Sequence, residues 1–516
     1  MMRPPLSVIA LSGLLLLPAV ARGQLSQPSA AEHTRPSQLP LSGSTQAGSV
    51  TTGQATVPSA SRESVSTLNS SIQIQGAFQG STPVGVATKE PLPLTLDEAI
   101  RRGLTYNLGV IGAEQTERNA RGRRLAALAE LLPDINGVVT GAAAQTSLAT
   151  AGLQSVRAVP GFQFARVLGP FNFFEAGAVM SQSVFDLTAT RNYRASKEIV
   201  RATGHSIRDS RDLVILGVGG SYLQVVAAAA RVDSARAQLT TAQALYEQAG
   251  DQFKAGVNAR IDVNRSQVEL QTQRLRLISL ETDLASQKLA LGRLIGLPLG
   301  QDVTLTTPME YRAVSVTPLA QALGEAYESR PDLRAAEAQV RAATQARKAA
   351  EAENTPAFRI NGSYLVAGIN PAQSNGVFSV VGAVDFPIWR GGRIQADIAQ
   401  ANAALDQRRA EYEEIRGRID FEVRDAFLRL NAANEQVMVA ESNRFLAQDT
   451  LRQARDRFAA GVADTVEVVQ AQEFVAAAEQ DYIAGLYTYY LARLSFARAT
   501  GDAGRGVAAL VRPNAP

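Results

Sequence analysis

Two stretches of sequence decide the fold: VILGVGGSYLQVVAAAARVDSA, residues 214–235, and IDFEVRDAFLRLNAANEQVMVA, residues 419–440. In each stretch, small or apolar residues recur in alternating steps of four and three, and each member of the second set follows its counterpart by 205 positions. The two sets are Val214, Val218, Ser221, Val225, Ala228, Val232 and Ala235, and Ile419, Val423, Ala426, Leu430, Ala433, Val437 and Ala440. A mean spacing of about 3.5 residues predicts coiled-coil packing, because it keeps one stripe facing a neighbouring helix. An ordinary amphipathic helix is the alternative, which the duplicated register disfavours.

Both stretches lie inside long regions whose composition is typical of helices. Ala, Gln, Arg, Leu and Glu crowd residues 190–300 and 393–500, and Pro is absent from 171–297 and from 388–512. The sequence therefore predicts two very long helical regions. A helix over residues 190–250 would extend roughly 90 Å at about 1.5 Å per residue.

The heptads belong to a longer internal duplication. Leu96–Ile100 opens the first copy, and Leu319–Leu323 opens the second 223 positions later; Pro133 and Pro356 share that offset. We predict that two repeats and a C-terminal tail follow the N-terminal region. Each repeat consists of a helix, two strands and two long helices. The parts are a first repeat at residues 94–310, a second repeat at residues 311–502 and a C-terminal tail at residues 503–516.

The N-terminal region has two sections. Residues 1–21 carry Arg3, an apolar core and the sequence Ala-Val-Ala, which is typical of a cleaved signal peptide. A membrane anchor is the alternative, but Pro18 interrupts a core that is shorter than the roughly 20 apolar residues an anchor needs. Residues 22–93 are rich in Ser, Thr, Gln, Ala, Gly and Pro, which predicts a flexible leader.

Four segments between the helical regions alternate with the period of a β-strand. They are residues 135–147, 174–180, 358–366 and 378–388. Each repeat thus has two strands. The segment 148–172 is predicted to be a longer loop than its counterpart 369–377, which explains why the offset between the copies falls from 223 to 205.

The strands have the length and the alternation of membrane-crossing strands, about 9 to 11 residues with one apolar face. Four strands cannot close a barrel, and open edges cannot face lipid because their backbone groups would lack hydrogen-bond partners. Strands from identical chains must therefore combine: two chains would give eight strands and a filled interior, and three would give twelve and an open one. Tyr364, Phe386 and Trp389 suit interfacial aromatic girdles, although each could instead be a core aromatic.

Composition excludes several classes of chemistry. Cysteine is absent, which excludes disulfides, thiol nucleophiles, cysteine metal ligands and a lipid anchor on an N-terminal cysteine. The net charge of +3 comes from 51 basic and 48 acidic residues without a concentrated basic face, so a nucleic-acid partner is not indicated.

The sequence offers no catalytic or metal-binding constellation. His33 and His205 are too few for a histidine metal cluster or an ordered Ser-His-acid triad. Gly217, Gly219 and Gly220 lie inside a helical heptad, so close helix packing or a local bend explains them better than a phosphate loop. We therefore expect no enzyme activity, no metal and no cofactor.

These features together resemble the TolC-like outer-membrane efflux proteins, also called outer membrane factors, over nearly all of residues 94–502. The resemblance implies an α+β membrane protein that forms a homotrimer in the outer membrane. A twelve-stranded β-barrel would continue into the periplasm as a long α-helical barrel. It also implies a channel for efflux or type I secretion, which docks onto a periplasmic adaptor (membrane fusion) protein and an inner-membrane pump.

The most specific part of the resemblance is the pair of helix-turn-helix signatures FKAGV, residues 253–257, and FAAGV, residues 458–462. By resemblance, the periplasmic tip that contacts the adaptor comprises Ala255, Gly256, Val257, Ala460, Gly461 and Val462. A reversal between two long helices often needs a glycine at positive φ. The alternative to an adaptor contact is therefore that the two glycines serve only to form the turns.

The resemblance also implies a periplasmic gate of acidic rings, at Asp262 in the first copy and Glu467 in the second. Where a second acidic ring would be expected, this sequence has Arg265 and Gln470; Asp464 could substitute. Three chains would bring such carboxylates together and attract cations. The alternative is a solvated acid that caps the following helix.

An exported coiled-coil scaffold without a pore is the second hypothesis for function. The strands disfavour it, because a scaffold has no need for segments of membrane-crossing length with one apolar and one polar face. The transported substrate is not indicated by the sequence.

Overall fold

The computed structural model describes most of both repeats and part of the N-terminal region. The described residues are 48–54, 70–147, 167–256, 259–307, 309–313, 317–460, 462 and 465–504. The predicted signal peptide and residues 505–516 of the predicted tail lie outside them.

Each repeat has the predicted order of elements. Ahead of the first repeat lie β1 (Val50–Gln54), β2 (Ser70–Ile74), a short 3-10 helix (Gly76–Gln79) and β3 (Leu92–Leu94). The first repeat contains α1 (Leu96–Tyr106), α2 (Leu108–Ala129), β4 (Asp134–Ser147), β5 (Val167–Phe185), α3 (Leu187–Lys254) and α4 (Arg260–Leu294), followed by β6 (Val303–Leu305). The second contains α5 (Leu319–Ser329), α6 (Pro331–Ala352), β7 (Ala357–Gly368), β8 (Ser374–Asp385), α7 (Arg393–Ala459) and α8 (Thr465–Ala499). The predicted first helix of each repeat is broken in two, at Asn107 and at Arg330.

The four predicted strands are confirmed and form one antiparallel sheet in the order β4-β5-β7-β8. The β5–β7 pair joins the two repeats, with Ala178 opposite Tyr364. The predicted loop 148–172 ends earlier than expected, because β5 begins at Val167 and pairs there with Ser147 of β4.

Helix α3 lies at the centre of the helical part and packs against α1, α2, α4, α6 and α8. The predicted heptad positions on α3 and α7 are buried, except that Ser221 is half-buried. The prediction that these stripes face neighbouring helices is therefore confirmed. One window of α3 is long and apolar enough to cross a membrane, but 67% of that window is buried inside the protein, so helix packing accounts for its composition.

The prediction that residues 22–93 form a flexible leader is wrong for the part that the structure describes. β1 and β2 form an antiparallel hairpin that packs on α3 and α8. The glycine cluster of α3 makes room for it: a Cβ on Gly220 would lie 2.4 Å from Cδ1 of Ile72, and Val50 and Ile74 are the nearest neighbours of Gly217. Close packing thus explains these two glycines, but against the hairpin, whereas the sequence predicted close packing between helices or a local bend. Residues 22–93 have few apolar side chains, but the helices offer a complementary apolar surface that composition alone cannot reveal.

Residues 76–84, here called the strap, close the helix break of the first repeat. The side-chain amide of Asn107 donates a hydrogen bond to the carbonyl of Phe78 at 2.8 Å. The backbone N–H of Leu108 donates to the carbonyl of Gly80 at 3.0 Å. Beyond the strap, β3 pairs in parallel with β6. The strap therefore satisfies backbone and side-chain groups that the interrupted helix leaves without partners.

The corresponding break in the second repeat is closed by an ion-pair network instead. The guanidinium of Arg330 binds both carboxylate oxygens of Asp332, at 2.6 and 3.0 Å, and an oxygen of Glu422 at 2.5 Å. Arg498 then connects Glu422, at 3.1 Å, to Asp209, at 3.3 Å. Arg330 is only 2% exposed, so its charge depends on these partners. The network links α3 of the first repeat to α6, α7 and α8 of the second.

Replacing Gly109 of α2 by alanine should displace the strap. The added Cβ would lie 2.3 Å from Cδ1 of the Phe78 ring. We expect the free energy of unfolding to fall by about 1–3 kcal/mol, measured by denaturant unfolding of the detergent-extracted protein with circular dichroism. Gly112→Ala on the same helix meets no atom within 4 Å and should raise stability by up to about 1 kcal/mol. Equal effects of the two substitutions would contradict the packing of the Phe78 ring against Gly109 of α2.

Asp212, a carboxyl that interacts electrostatically with Asp209 and Arg498 of this network, makes stability depend on pH. Burial, assisted by the neighbouring Asp209, raises the pKa of Asp212 from 3.8 to about 7. Between these two values the unfolded chain releases this proton and the folded chain retains it, so stability decreases as pH rises. We expect Asp212→Asn to become increasingly more stable than the natural protein from about pH 4 to pH 7, with no further gain above that range. Asp251→Asn, at an exposed position of α3, controls for the substitution, and a difference independent of pH would contradict the prediction.

Candidate functional site

The first predicted tip turn lies between α3 and α4. The backbone N–H of Ala255 donates to the carbonyl of Asp251 at 3.0 Å, and the N–H of Gly256 donates to the carbonyl of Phe253 at 3.0 Å. Gly256 has a φ of +75°, so the predicted need for positive φ at this reversal is confirmed. Val257 lies outside the described residues.

The second predicted tip turn lies between α7 and α8. The N–H of Ala460 donates to the carbonyl of Asp456 at 3.0 Å, and the N–H of Val462 donates to the carbonyl of Arg457 at 2.9 Å. The Val462 side chain is exposed. Gly461 is not among the described residues.

The two turns differ in how they are anchored. Phe458 is buried in a small apolar cluster that joins α7 and α8 to Leu245 of α3. Its repeat counterpart, Phe253, is exposed. The α7–α8 turn is therefore held against α3 by apolar contact, whereas the matching aromatic of the α3–α4 turn faces outward.

Each described gate acid lies in the first turn of a helix and has an arginine partner. Asp262 is the third residue of α4 and lies 3.6 Å from the guanidinium of Arg265. Glu467 is the third residue of α8 and lies 3.0 Å from Nε of Arg457, across the turn from α7. Their side chains are 20% and 42% exposed. The structure places the two acids on different helical hairpins, and Asp464 lies outside the described residues.

Sequence reasoning missed the counter-ion Arg457. It lies ten positions before Glu467, on the other side of a turn, where no helical spacing connects them. A carboxylate near a helix N-terminus is also stabilised by the helix dipole, so both gate acids have a structural role as well as a candidate functional one.

The four long helices form a layer with open sides. Helix α3 packs on α4 and α8, and α8 packs on α7, so α4 and α7 are the outer helices. Each outer helix has exposed apolar side chains at heptad-like spacing. On α4 they are Ile261, Val268, Leu275, Ile278 and Leu289, and on α7 they are Phe421, Leu428, Met438, Val439, Phe445 and Leu446.

The sheet also has open sides, because β4 and β8 each pair with one described neighbour. The cross-strand register places Met180, Gly362 and Val380 in one row, and Ser181, Asn361 and Val381 in the next. Alternate rows thus give one mainly apolar face and one face with more polar groups. Tyr364, Phe386 and Trp389 are exposed, which rules out the alternative that they are core aromatics of the single chain.

Nothing in the described ranges groups three or more His, Asp or Glu side chains as a metal site would. His205 lies on α3, and burial together with the nearby Arg208 lowers its pKa. The described residues with distinctive geometry are instead the turns, the first-turn acids and the open sides of the sheet and the helical layer.

Known proteins share this architecture. The profile of the family described as "Outer membrane efflux protein" matches residues 100–297 and 322–502. The toluene efflux pump outer membrane protein TtgF of Pseudomonas putida is 23% identical over 344 residues, which cover 63% of this chain and 71% of TtgF. Outer membrane protein OprJ of Pseudomonas aeruginosa is 25% identical over 393 residues, which cover 73% of this chain and 78% of OprJ.

Solved structures agree on the fold. The outer-membrane channel OprN superposes on this chain with a TM-score of 0.68 at 19% identity, covering 79% of this chain and 89% of OprN. CmeC, an outer membrane channel of Campylobacter jejuni, gives a TM-score of 0.68 at 17% identity, covering 81% of this chain and 89% of CmeC. Because the family profile covers both repeats, the chain belongs to the outer membrane efflux protein family and is located in the outer membrane.

Proposed function

We propose that this chain is the subunit of a trimeric outer-membrane channel, which conducts solutes to the exterior from an inner-membrane pump. The observation that carries the proposal is that one subunit has two kinds of open side. β4 and β8 are the edge strands of its sheet, and α4 and α7 are the outer helices of its helical layer. Further copies of the chain supply matching partners for both.

We propose three copies because a conducting barrel needs an open interior. Three copies contribute twelve strands, enough for a barrel with an open interior, whereas two contribute eight and a filled one. The long helices of three copies continue this barrel as a twelve-helix tunnel. Helix α3 has 68 residues, so it extends about 100 Å, well beyond the roughly 30 Å of a bilayer's hydrocarbon core. The tunnel therefore reaches into the periplasm.

Lipid covers the outside of the proposed barrel. The row containing Met180, Gly362 and Val380 faces the bilayer, and the alternate row lines the channel. The exposed Tyr364, Phe386 and Trp389 suit the aromatic girdles at the membrane interfaces. An exported scaffold without a pore, the alternative function, gives no reason for these exposed aromatic and apolar side chains.

The partners at the other end are a periplasmic adaptor protein and the pump. The proposed contact consists of the turns with Ala255, Gly256, Val257, Ala460, Gly461 and Val462. The exposed Val462 side chain offers an apolar contact there. The names of TtgF and OprJ describe an efflux pump outer membrane protein and an outer membrane protein, and neither name describes an enzyme. These relatives support a conduit without catalytic residues or cofactors.

The gate of the channel is proposed to lie at Asp262, Asp464 and Glu467, just past the tip turns. Trimer symmetry would bring three copies of each carboxylate around the axis, where their fields add. Arg457 and Arg265 offset part of this charge.

The channel and its assembly are tested by measuring oligomer mass and single-channel conductance on the same detergent-extracted sample. We expect a trimer with discrete conductance steps. Leu275→Glu places a charge in the exposed stripe of α4 and should give monomers without conductance, because a charge in a buried apolar interface is costly. Leu275→Met keeps the apolar contact and should retain the trimer. A non-conducting oligomer of the natural protein would favour the scaffold instead.

The gate is tested by ion selectivity in planar bilayers. The double change Asp464→Ala and Glu467→Ala should lower the cation-over-anion permeability ratio by roughly two-fold or more, because it removes six carboxylates from a trimer. Arg457→Gln should act in the opposite direction, because it removes a positive charge 3.0 Å from Glu467. Asp406→Ala, at an exposed position of α7 far from the turns, is the control. Unchanged selectivity in both test variants would exclude the gate while leaving the channel intact.

A further inference from the structure

A cleft of about 540 Å³ opens among the four long helices, between the tip turns and the β1–β2 hairpin. Its walls come from α3, α4, α7 and α8. None of the proposed gate or adaptor residues lines it. The cleft is therefore a separate feature from the candidate site described above.

Unpaired polar groups line this cleft. Within the part of the chain that the structure describes, neither amide atom of Gln472 has a hydrogen-bond partner, and the side-chain carbonyl oxygens of Gln238 and Gln273 also have none. Gln472 and Gln273 are only 8% and 6% exposed. A buried polar group without a partner is destabilising, so three such side chains in one cleft point to a bound molecule that supplies the missing hydrogen bonds.

Among the unpaired amide atoms, acceptors outnumber donors. Three of these four atoms are carbonyl oxygens, and the fourth is the Gln472 side-chain nitrogen. Glu269 is only 8% exposed and accepts a hydrogen bond from the Gln273 amide at 2.7 Å. Glu479 accepts from Gln448 at 2.7 Å. These groups are suited to a ligand that donates hydrogen bonds and carries positive charge.

The charges agree with this polarity. Asp233, Glu269 and Glu479 line the cleft, and among the described residues Arg444 is the one cation in the lining. The Arg444 guanidinium lies 4.0 Å from the ring centroid of Tyr482, so part of its charge is directed at the aromatic face. Two arginines outside the lining offset part of this charge: Arg236 lies 3.7 Å from Asp233, and Arg276 interacts electrostatically with Glu269. The balance among the lining groups remains negative.

The rest of the lining is apolar. Val226, Ala230, Leu451, Val475, Ile483 and Leu486 contribute side chains from α3, α7 and α8. A ligand with an apolar body would be stabilised there, because these residues remove its apolar surface from water. The cleft thus combines an apolar wall with buried acceptors and excess negative charge.

We propose that this cleft is a binding site for amphipathic organic cations that carry N–H donors on an apolar body. The N–H groups of the cation donate to Glu269 and to the amide oxygens of Gln273 and Gln472, and the apolar body packs against the α3 and α8 walls. This site goes beyond the proposed channel and does not depend on trimer formation.

The probe for the test is proflavine, a planar fluorescent cation at neutral pH, whose protonated ring nitrogen and two amino groups all carry N–H donors. Fluorescence anisotropy of the full-length, detergent-extracted protein should show saturable binding after subtraction of a detergent blank. Anilinonaphthalene sulfonate, an anion with an apolar ring system, should neither saturate the site nor displace proflavine. Equal binding of the anion, or no saturable proflavine binding up to about 1 mM, would overturn the proposal.

Two variants locate the site. Glu269→Gln removes the buried charge without changing the size of the side chain, and Gln472→Leu removes the unpaired amide. We expect each to weaken proflavine binding roughly ten-fold or more. Glu473→Gln, the exposed neighbour of Gln472 on α8, is the matched control and should bind as the natural protein does. Circular dichroism verifies folding; Gln472→Leu should unfold no earlier than the natural protein, since it removes a buried polar group. Saturable binding that both variants leave unchanged would place the ligand elsewhere and overturn the assignment.

Discussion

The close packing around α3 is the interaction on which the rest of the structure depends. This one helix contacts α1, α2 and α4 of its own repeat, α6 and α8 of the other, and the β1–β2 hairpin. Such a number of neighbours is possible only because glycine and alanine occupy many of its contact positions. At Gly219, for example, an added Cβ would lie 2.9 Å from Leu494 of α8. Small residues let helix axes approach closely, and the dispersion energy of many such contacts is large in sum.

The two sequence repeats do not have the same neighbours in the structure. Helices α3 and α7 share a heptad register, yet α3 is central and α7 lies at the outer side of the layer. The two helix breaks, one in each repeat, also have different partners. Asn107 and Arg330 occupy matching positions and both are buried, but carbonyls of the strap satisfy Asn107, whereas carboxylates satisfy Arg330. A buried polar group requires a partner, and each repeat has found a different one.

This asymmetry bears on the proposed channel and on the proposed cation site. The sides of the subunit that lack partners, β4 with α4 and β8 with α7, come from different repeats, so each can match the other on the next copy. The cleft likewise lies where the two helical hairpins meet. Its buried Glu269 and Gln472 come from opposite hairpins, and both line the cleft.

The sequence alone determined the repeats, the long helices, the four strands and the positive φ at Gly256, because periodicity and turn chemistry are local properties of the chain. It also identified the acids at the turns, but not the counter-ion Arg457. Only the tertiary structure decided that the N-terminal hairpin is ordered on α3, that Arg330 is the centre of an ion-pair network, and that polar groups meet in a cleft. Each of these features depends on contacts between residues that are far apart in the sequence. Such contacts form only when the helices pack, so no local sequence pattern reports them.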